Sequence, residues 1–387
     1  MNRETRNSRQ GHHDVLPVPS QDENARQEFV GELRRFLTAN IQPALSDLYE
    51  AKVLPEINAA LGRDPETASE VRAGMKNNPL YQLWSAMQRR SQEMIWSSAI
   101  DTVERNWEAD REKISASGNT DLLSLDPDLE VPSYHTAYDI HLQPGGYHGE
   151  HAAADHFAGA VYDLGVPIYG GGMMGEFNDA VGLTLVKHYQ SIRPAYIPSR
   201  ILDLGCTIGN STVPWKSQFT DAEVHGVDVA APCLRYANAR ACALGHEVHF
   251  HQQNAENLAF EDESFDVVAA GLLLHETSRT ALPKILAEAK RVLRPGGVMI
   301  MMDGFRPEPV PPLNAFFQEW EIYNNNESFL RYLISADVLE LCRESGFEQD
   351  AVSYEPALFV TGQEEQGGED QGYLTGFNKI PLLVGYA

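Results

Sequence analysis

The chain has 387 residues, with 30 Lys+Arg against 55 Asp+Glu and a formal net charge of -25 at pH 7. A surface this acidic repels phosphate backbones and anionic headgroups, and no stretch gathers Lys and Arg into a local footprint, so nucleic acid and acidic membrane surfaces are not expected partners. Hydrophobic residues make up 43% and charged residues 22%, which suits a globular chain with a large core. Cys206, Cys233, Cys242 and Cys342 are scattered without paired spacing, which argues against a disulfide framework or a Cys-based zinc site and fits a reducing, cytoplasmic setting. The polar stretch 1–21 lacks a signal-peptide core, and no apolar run reaches the ~18 residues that span a bilayer.

Residues 1–20 hold too little apolar surface to offset the entropy of ordering and read as a disordered tail. Residues 21–117 read as a helical domain. Phe29, Leu33, Phe36 and Leu37 follow helical spacing, as do Leu45, Leu48 and Tyr49. The clearest helix is predicted over 79–117. Pro79 suits its first turn, Leu80, Leu83, Trp84 and Met87 form one stripe, Ile95, Ala99, Val103 and Trp107 continue it, and Gly118-Asn119 stops it. Its apolar face needs cover, from the rest of the region or from the same helix of a second subunit, so a homodimer through these helices is expected. Residues 118–195 form a connection too long and too aromatic for a passive linker, with a helix predicted over 176–191.

From 196 to 387 strands and helices alternate, which indicates an α/β domain. Strands are predicted at 200–204, 223–227, 248–252, 265–270, 298–302, 347–353 and 379–385. Helices are predicted from about 210, over 230–244, over 280–293, and over 336–345 behind a Ser335 cap, and an acidic, Gly-rich loop separates the last two strands at 362–376.

The segment ILDLGCTIGNST (201–212) passes from strand to helix, with Asp203 two residues before Gly205 and Gly209 four residues after it. Glycines after a parallel strand let the backbone approach a ligand closely. A dinucleotide loop instead requires GxGxxG facing a pyrophosphate, which Asp203 would repel. A carboxylate there suits a ligand ammonium group, so the loop favours a cationic, phosphate-free cofactor such as S-adenosylmethionine over a nicotinamide. VHGVDVA (224–230) puts Asp228 at the tip of the second strand, where a carboxylate accepts hydrogen bonds from ribose hydroxyls. In QNAENLAFEDESFDVVAAGLLLHE (253–276), Asn254 follows the third strand, where a polar side chain could read an adenine amino group, Ala255 continues the turn, and the fourth strand ends at Gly271-Leu272. AKRVLRPGGVMIMMD (289–303) adds a helix, a turn and the fifth strand.

Over roughly 199–305 these motifs, in this order, resemble the class I S-adenosylmethionine-dependent methyltransferases, and within them the group of small-molecule and quinone C-methyltransferases. The resemblance implies a seven-stranded Rossmann-like sheet with the seventh strand antiparallel, here preceded by a mainly α-helical N-terminal domain. It also implies that S-adenosylmethionine is held by Asp203, Gly205, Thr207 and Gly209 at the loop, Asp228 at the ribose, Asn254 and Ala255 at the adenine, and Leu272 at the end of the fourth strand. Thr207 stands where the family's loop usually has its middle glycine, and Asn254 where the family often has Asp.

The acceptor is expected to be a small molecule, with its methylated atom open among S, N, O and C. Methyl transfer by in-line displacement mainly needs alignment and exclusion of water, and a base only where the nucleophile carries a proton. His275-Glu276, just after the fourth strand, are catalytic candidates or a surface pair. His141, Tyr147 and His148, within the His/Tyr-rich stretch 134–151, are candidates as part of a substrate lid. The same stretch also reads as a packed structural loop, or as a metal site of His141, His148 and His151, whose spacing is irregular enough that no metal is expected. Tyr169-Gly170-Gly171-Gly172-Met173-Met174 reads as a hinge over the cofactor or as a packed loop. A catalytically inactive cofactor-binding scaffold remains the alternative function.

Overall fold

In the computed structural model, which describes residues 10–171, 174–360 and 379–387, eight strands form one sheet. They are β1 (Leu123–Ser124), β2 (Arg200–Leu204), β3 (Glu223–Asp228), β4 (His249–Gln252), β5 (Phe265–Gly271), β6 (Leu293–Met302), β7 (Val352–Leu358) and β8 (Lys379–Tyr386). Their order across the sheet is β1-β4-β3-β2-β5-β6-β8-β7, with β8 alone running antiparallel to its neighbours. The expected seven strands are all present. The additional β1 pairs Leu123 with Phe250 and covers what would otherwise be the open edge of β4.

The strands are near-continuous apolar runs because helices cover both faces. On one face Val181, Leu185 and Tyr189 of the Ala180–Ile192 helix pack with Trp215 and Leu234. On the other, Leu282, Ile285 and Leu286 of the Leu282–Val292 helix pack with Val338 and Cys342. The chain moves outward from β2 through β3 and β4, then returns to the other side of β2 with β5. The crevice beyond the β2 and β5 tips is therefore the topological switch point, where ligands of such sheets bind.

Several boundaries differ from expectation. The helix predicted over 79–117 breaks at Asn106, whose backbone is non-helical, giving helices Pro79–Arg105 and Trp107–Ser117. Arg105 turns there to donate to Glu23 and to the Val18 carbonyl. The predicted strand 347–353 begins only at Val352, and the 294–297 turn is absorbed as a bulge, since Phe265 pairs with Leu293 but Val267 with Val298. The acidic loop at 362–376 lies outside the described residues.

Residues 10–20, expected to belong to a disordered tail, are ordered, and residues 1–9 lie outside the described residues. Val15 and Leu16 are buried with Ile95, Trp96 and Phe157, and the Gly11 amide donates to the Glu176 carbonyl at 2.7 Å. Composition averaged over twenty residues conceals these few apolar anchors, for which the folded domain supplies a groove. The apolar face of the Pro79–Arg105 helix is likewise covered within the chain, by Val30 of the first helix and by Ala160, Val161 and Leu164 of the Phe157–Tyr169 helix. Leu37, Leu45, Tyr49 and Trp84 close a second cluster around Phe316 and Trp320 of the Pro312–Asn324 helix, which docks the segment after β6 onto the N-terminal helices.

The Phe157–Tyr169 helix has no clear sequence signal, because Gly159, Gly165 and Pro167 lie inside it. Its glycines permit close packing. A Cβ at Gly165 would stand 2.5 Å from the Trp96 ring, and one at Gly159 would stand 2.6 Å from Tyr236. No helix among the described residues is long and apolar enough to cross a membrane.

Candidate active site

A cavity of about 420 Å³ opens at the switch point. Gly205, Thr207, Asp228, Asn254, Ala255 and Leu272 line it. Gly205 and Thr207 both take positive φ, 68° and 47°, which turns the loop sharply off the end of β2. The Asp228 carboxylate fixes that turn: one oxygen accepts from the Thr207 amide and the other from the Ala230 amide, each at 2.9 Å. Burial raises its pKa. Asn254 Oδ1 accepts from the Glu256 amide at 2.9 Å, so this side chain shapes the turn as well as facing the cavity.

A methyl group on Gly205 would lie 2.6 Å from Leu273 Cδ1 and would occupy a left-handed backbone. Gly205→Ala is therefore expected to weaken cofactor binding at least tenfold and to lower stability by about 1–3 kcal/mol, measured by titration and urea unfolding.

Two residues of the predicted set lie elsewhere. Asp203 is fully buried beneath the loop, its Oδ2 accepting from the Ser211 and Thr212 hydroxyls at 2.8 and 2.6 Å, while Oδ1 has no protein partner. Burial pushes its pKa to about 6 against those hydrogen bonds. It ties β2 to the following helix instead of lining the cavity. Gly209 packs against Phe250, since a Cβ there would stand 2.9 Å from the ring. Both are drawn inward because the loop is tightly wound, which the spacing of its residues does not reveal.

The acceptor candidates His141, Tyr147, His275 and Glu276 line the same cavity. Glu276 Oε1 is their meeting point: the Tyr147 hydroxyl lies 3.4 Å away, His141 Nε2 3.3 Å and His275 Nε2 3.9 Å. The other ring nitrogens are held by carboxylates, His275 Nδ1 by Asp303 at 2.8 Å and His141 Nδ1 by Glu327 at 3.4 Å. Burial opposes charging of either imidazole, but the carboxylates prevail. The pKa of His275 stands at about 9 and that of His141 at about 10, so without a further cation both hold a proton at neutral pH.

His141 itself has a left-handed backbone, φ 51°. Its carbonyl accepts from Gln92 Nε2 at 3.0 Å and Trp96 Nε1 at 2.7 Å, so the long N-terminal helix sets its position.

His148 does not line the cavity. It sits beside His135, ring centroids 5.5 Å apart, and His151 packs edge-on against Phe157, so the trio His141, His148 and His151 does not converge. Tyr169, Gly170 and Met174 line the cavity, while Gly172 and Met173 lie outside the described residues.

Asp303, Glu321 and Glu327 also line the cavity and were not anticipated. Asp303 follows the end of a parallel strand, a position that could have flagged it. Glu321 and Glu327 come from a segment without a motif. Burial and the nearby Glu327 push the Glu321 pKa to about 7.

The protein-family model described as a methyltransferase domain matches residues 201–297. Over 126 residues the chain is 36% identical to demethylmenaquinone methyltransferase of Thermus thermophilus, covering 33% of this chain and 54% of that protein. Over 154 residues it is 34% identical to the O-methyltransferase cnsE of Penicillium expansum, covering 38% and 51%. Over 215 residues it is 25% identical to 2-phytyl-1,4-naphtoquinone methyltransferase of Trichormus variabilis, covering 53% and 85%. The chain spans about half the length of the first two of these relatives. Residues 201–297 therefore carry a methyltransferase domain, and the β2 loop, Asp228 and the antiparallel β8 agree with the resemblance to the class I S-adenosylmethionine-dependent methyltransferases.

Proposed function

We propose that this protein transfers a methyl group from S-adenosylmethionine to a small molecule bound in the same cavity. The observation that carries this reading is that one cavity is lined both by Gly205, Thr207, Asp228, Asn254, Ala255 and Leu272 and by the cluster around Glu276. The first set fits the cofactor: the backbone is drawn back at Gly205, and each Asp228 oxygen keeps accepting capacity for a ribose hydroxyl. When bound, the cofactor supplies a methyl group already attached to its leaving group. The chain's own residues then orient the acceptor and keep water out.

Trp96, Tyr134, Tyr162, Tyr169, Phe305 and Phe359 make much of the wall aromatic, which suits a flat ring bearing hydroxyl or carbonyl oxygens. The quinone and O-methyltransferase names of the relatives agree with that class. Glu276, on which Tyr147, His141 and His275 converge, is placed to take a proton from a hydroxyl.

The test is transfer of label from S-adenosylmethionine to a panel of phenols, quinols and amines, with release of S-adenosylhomocysteine as a second readout. Cofactor binding without transfer to any acceptor, including a metabolite extract, would favour the scaffold. Glu276→Gln is expected to lower turnover about a hundredfold while leaving cofactor affinity within a few-fold. Equal losses in both would remove Glu276 from the acceptor side.

We also propose a homodimer through the first helix. The exposed Phe29 and Phe36, 58% and 52% accessible and seven residues apart on one helix, are the surface for it, and sedimentation of the Phe29→Ser/Phe36→Ser double variant would test it.

A further inference from the structure

We propose that His141 Nε2, His275 Nε2 and the Glu276 carboxylate bind a divalent transition-metal ion of the zinc class. Their ligand atoms all lie within 4.8 Å of one another. A tetrahedral ion with bonds of about 2.0 Å places its ligands about 3.3 Å apart. The His141 to Glu276 separation is already 3.3 Å and that from His275 to Glu276 is 3.9 Å, so rotamer adjustments of at most about 1.5 Å close the set. Two imidazoles with one carboxylate is a donor set that suits zinc and its transition-metal neighbours over calcium or magnesium.

The surroundings carry the inference beyond the three residues. Metal-ligating histidines usually give their second nitrogen to a carboxylate or carbonyl, which fixes the ring and aims the first nitrogen. Here both histidines do so, His275 through Asp303 at 2.8 Å and His141 through Glu327 at 3.4 Å, and both free nitrogens then face the same Glu276 oxygen. The Leu274 amide also donates to Asp303 Oδ2 at 2.7 Å, so that supporting carboxylate is itself anchored.

His141 is held in its left-handed conformation by Gln92 and Trp96, and backbone strain of this kind is concentrated at ligand-binding sites. In the absence of an ion, protons shared between imidazoles and carboxylates hold the same contacts. Three protein ligands leave one position toward the cavity, where water or an acceptor oxygen completes the shell. Only the identity of that fourth ligand rests on the methyltransferase reading.

The experiment uses the full chain, stripped with a chelator and titrated with zinc by calorimetry and with cobalt by visible absorption. One equivalent is expected to bind, with the cobalt spectrum of a four- or five-coordinate site. His275→Ala and the near-isosteric Glu276→Gln are each expected to weaken uptake at least a hundredfold. Glu327→Gln, which weakens the support of His141, is expected to weaken it about tenfold. His148→Ala is expected to leave uptake unchanged.

Uptake that persists in both His275→Ala and Glu276→Gln overturns the site, and so does an absence of stoichiometric binding by the parent chain. S-adenosylmethionine is titrated separately into the stripped protein. Cofactor binding without zinc uptake overturns the metal site and leaves the transferase reading intact, whereas zinc uptake without cofactor binding does the reverse.

Discussion

Replacing Asp228 by alanine is expected to weaken S-adenosylmethionine binding by on the order of a hundredfold or more. The carboxylate has two tasks. Its oxygens accept from the Thr207 and Ala230 amides at 2.9 Å and so hold the β2 loop against the following segment. They also face the cavity, where the ribose hydroxyls of the cofactor would add further charge-assisted hydrogen bonds. Such bonds contribute about 1.5–3 kcal/mol each, so losing two costs about 3 kcal/mol or more, which is about two decades in affinity. Asp228→Asn, which keeps one acceptor oxygen, should fall between the two. Calorimetric titration reads the difference directly, and an alanine variant that binds within threefold of the parent would remove the cofactor assignment from this loop.

A second large effect is expected at a residue that does not line the cavity, in the parent's buried ion pair. Asp163 Oδ2 accepts from His13 Nε2 at 2.9 Å, from the Tyr236 hydroxyl at 2.9 Å and from Arg240 Nε at 3.2 Å. Arg240 is 1% exposed, so an uncharged residue at 163 strands a guanidinium inside the protein. Removing one partner of such a pair costs about 3–5 kcal/mol, a large fraction of the ~5–15 kcal/mol by which domains are stable. Asp163→Asn is therefore expected to lower the urea midpoint strongly at pH 7 and to release the 10–20 segment, which limited proteolysis would detect.

The pH dependence has a definite sign. Burial raises the Asp163 pKa, but the Arg240 charge and the His13 and Tyr236 hydrogen bonds outweigh it and bring the value from 3.8 to about 2. A carboxyl whose pKa is lower folded than unfolded stabilises above its unfolded value and loses that stabilisation as pH falls, here between about 4 and about 2. The gap between parent and variant should shrink by about 2 kcal/mol across that window. A gap that is constant from pH 7 to pH 2 would contradict the role of the charge.

The residues proposed for the cofactor could be named along the chain because their signals are local. A strand followed at once by a glycine, a carboxylate at the next strand tip and a polar residue after the third strand are each set by a few neighbouring residues. Even there, Asp203 and Gly209 proved to be buried supports, because winding a loop tightly draws some of its residues away from the ligand. The acceptor side was legible only in part. His141, Tyr147, His275 and Glu276 were found as polar residues in suggestive places, whereas His148, chosen by the same reasoning, points into a packed turn beside His135. Glu321 and Glu327 lie in a segment without a motif, whereas Asp303 follows the end of a parallel strand and had that one signal.

The amino-acid order alone was enough for the α/β alternation, the antiparallel last strand implied by the family resemblance and the kind of cofactor, since apolar runs, glycine spacing and carboxylates at strand tips are short-range properties. Folding in three dimensions settled which polar groups meet. Glu276 is brought to His141 across a sequence separation of 135 residues, and Glu327 reaches His141 only because Phe316 and Trp320 dock the preceding helix onto the N-terminal helices. Contacts of that range depend on how surfaces pack and how buried charges find partners. The same holds for the order of residues 10–20, where a few apolar side chains and one buried histidine gain a binding surface that exists only once the rest of the chain has folded.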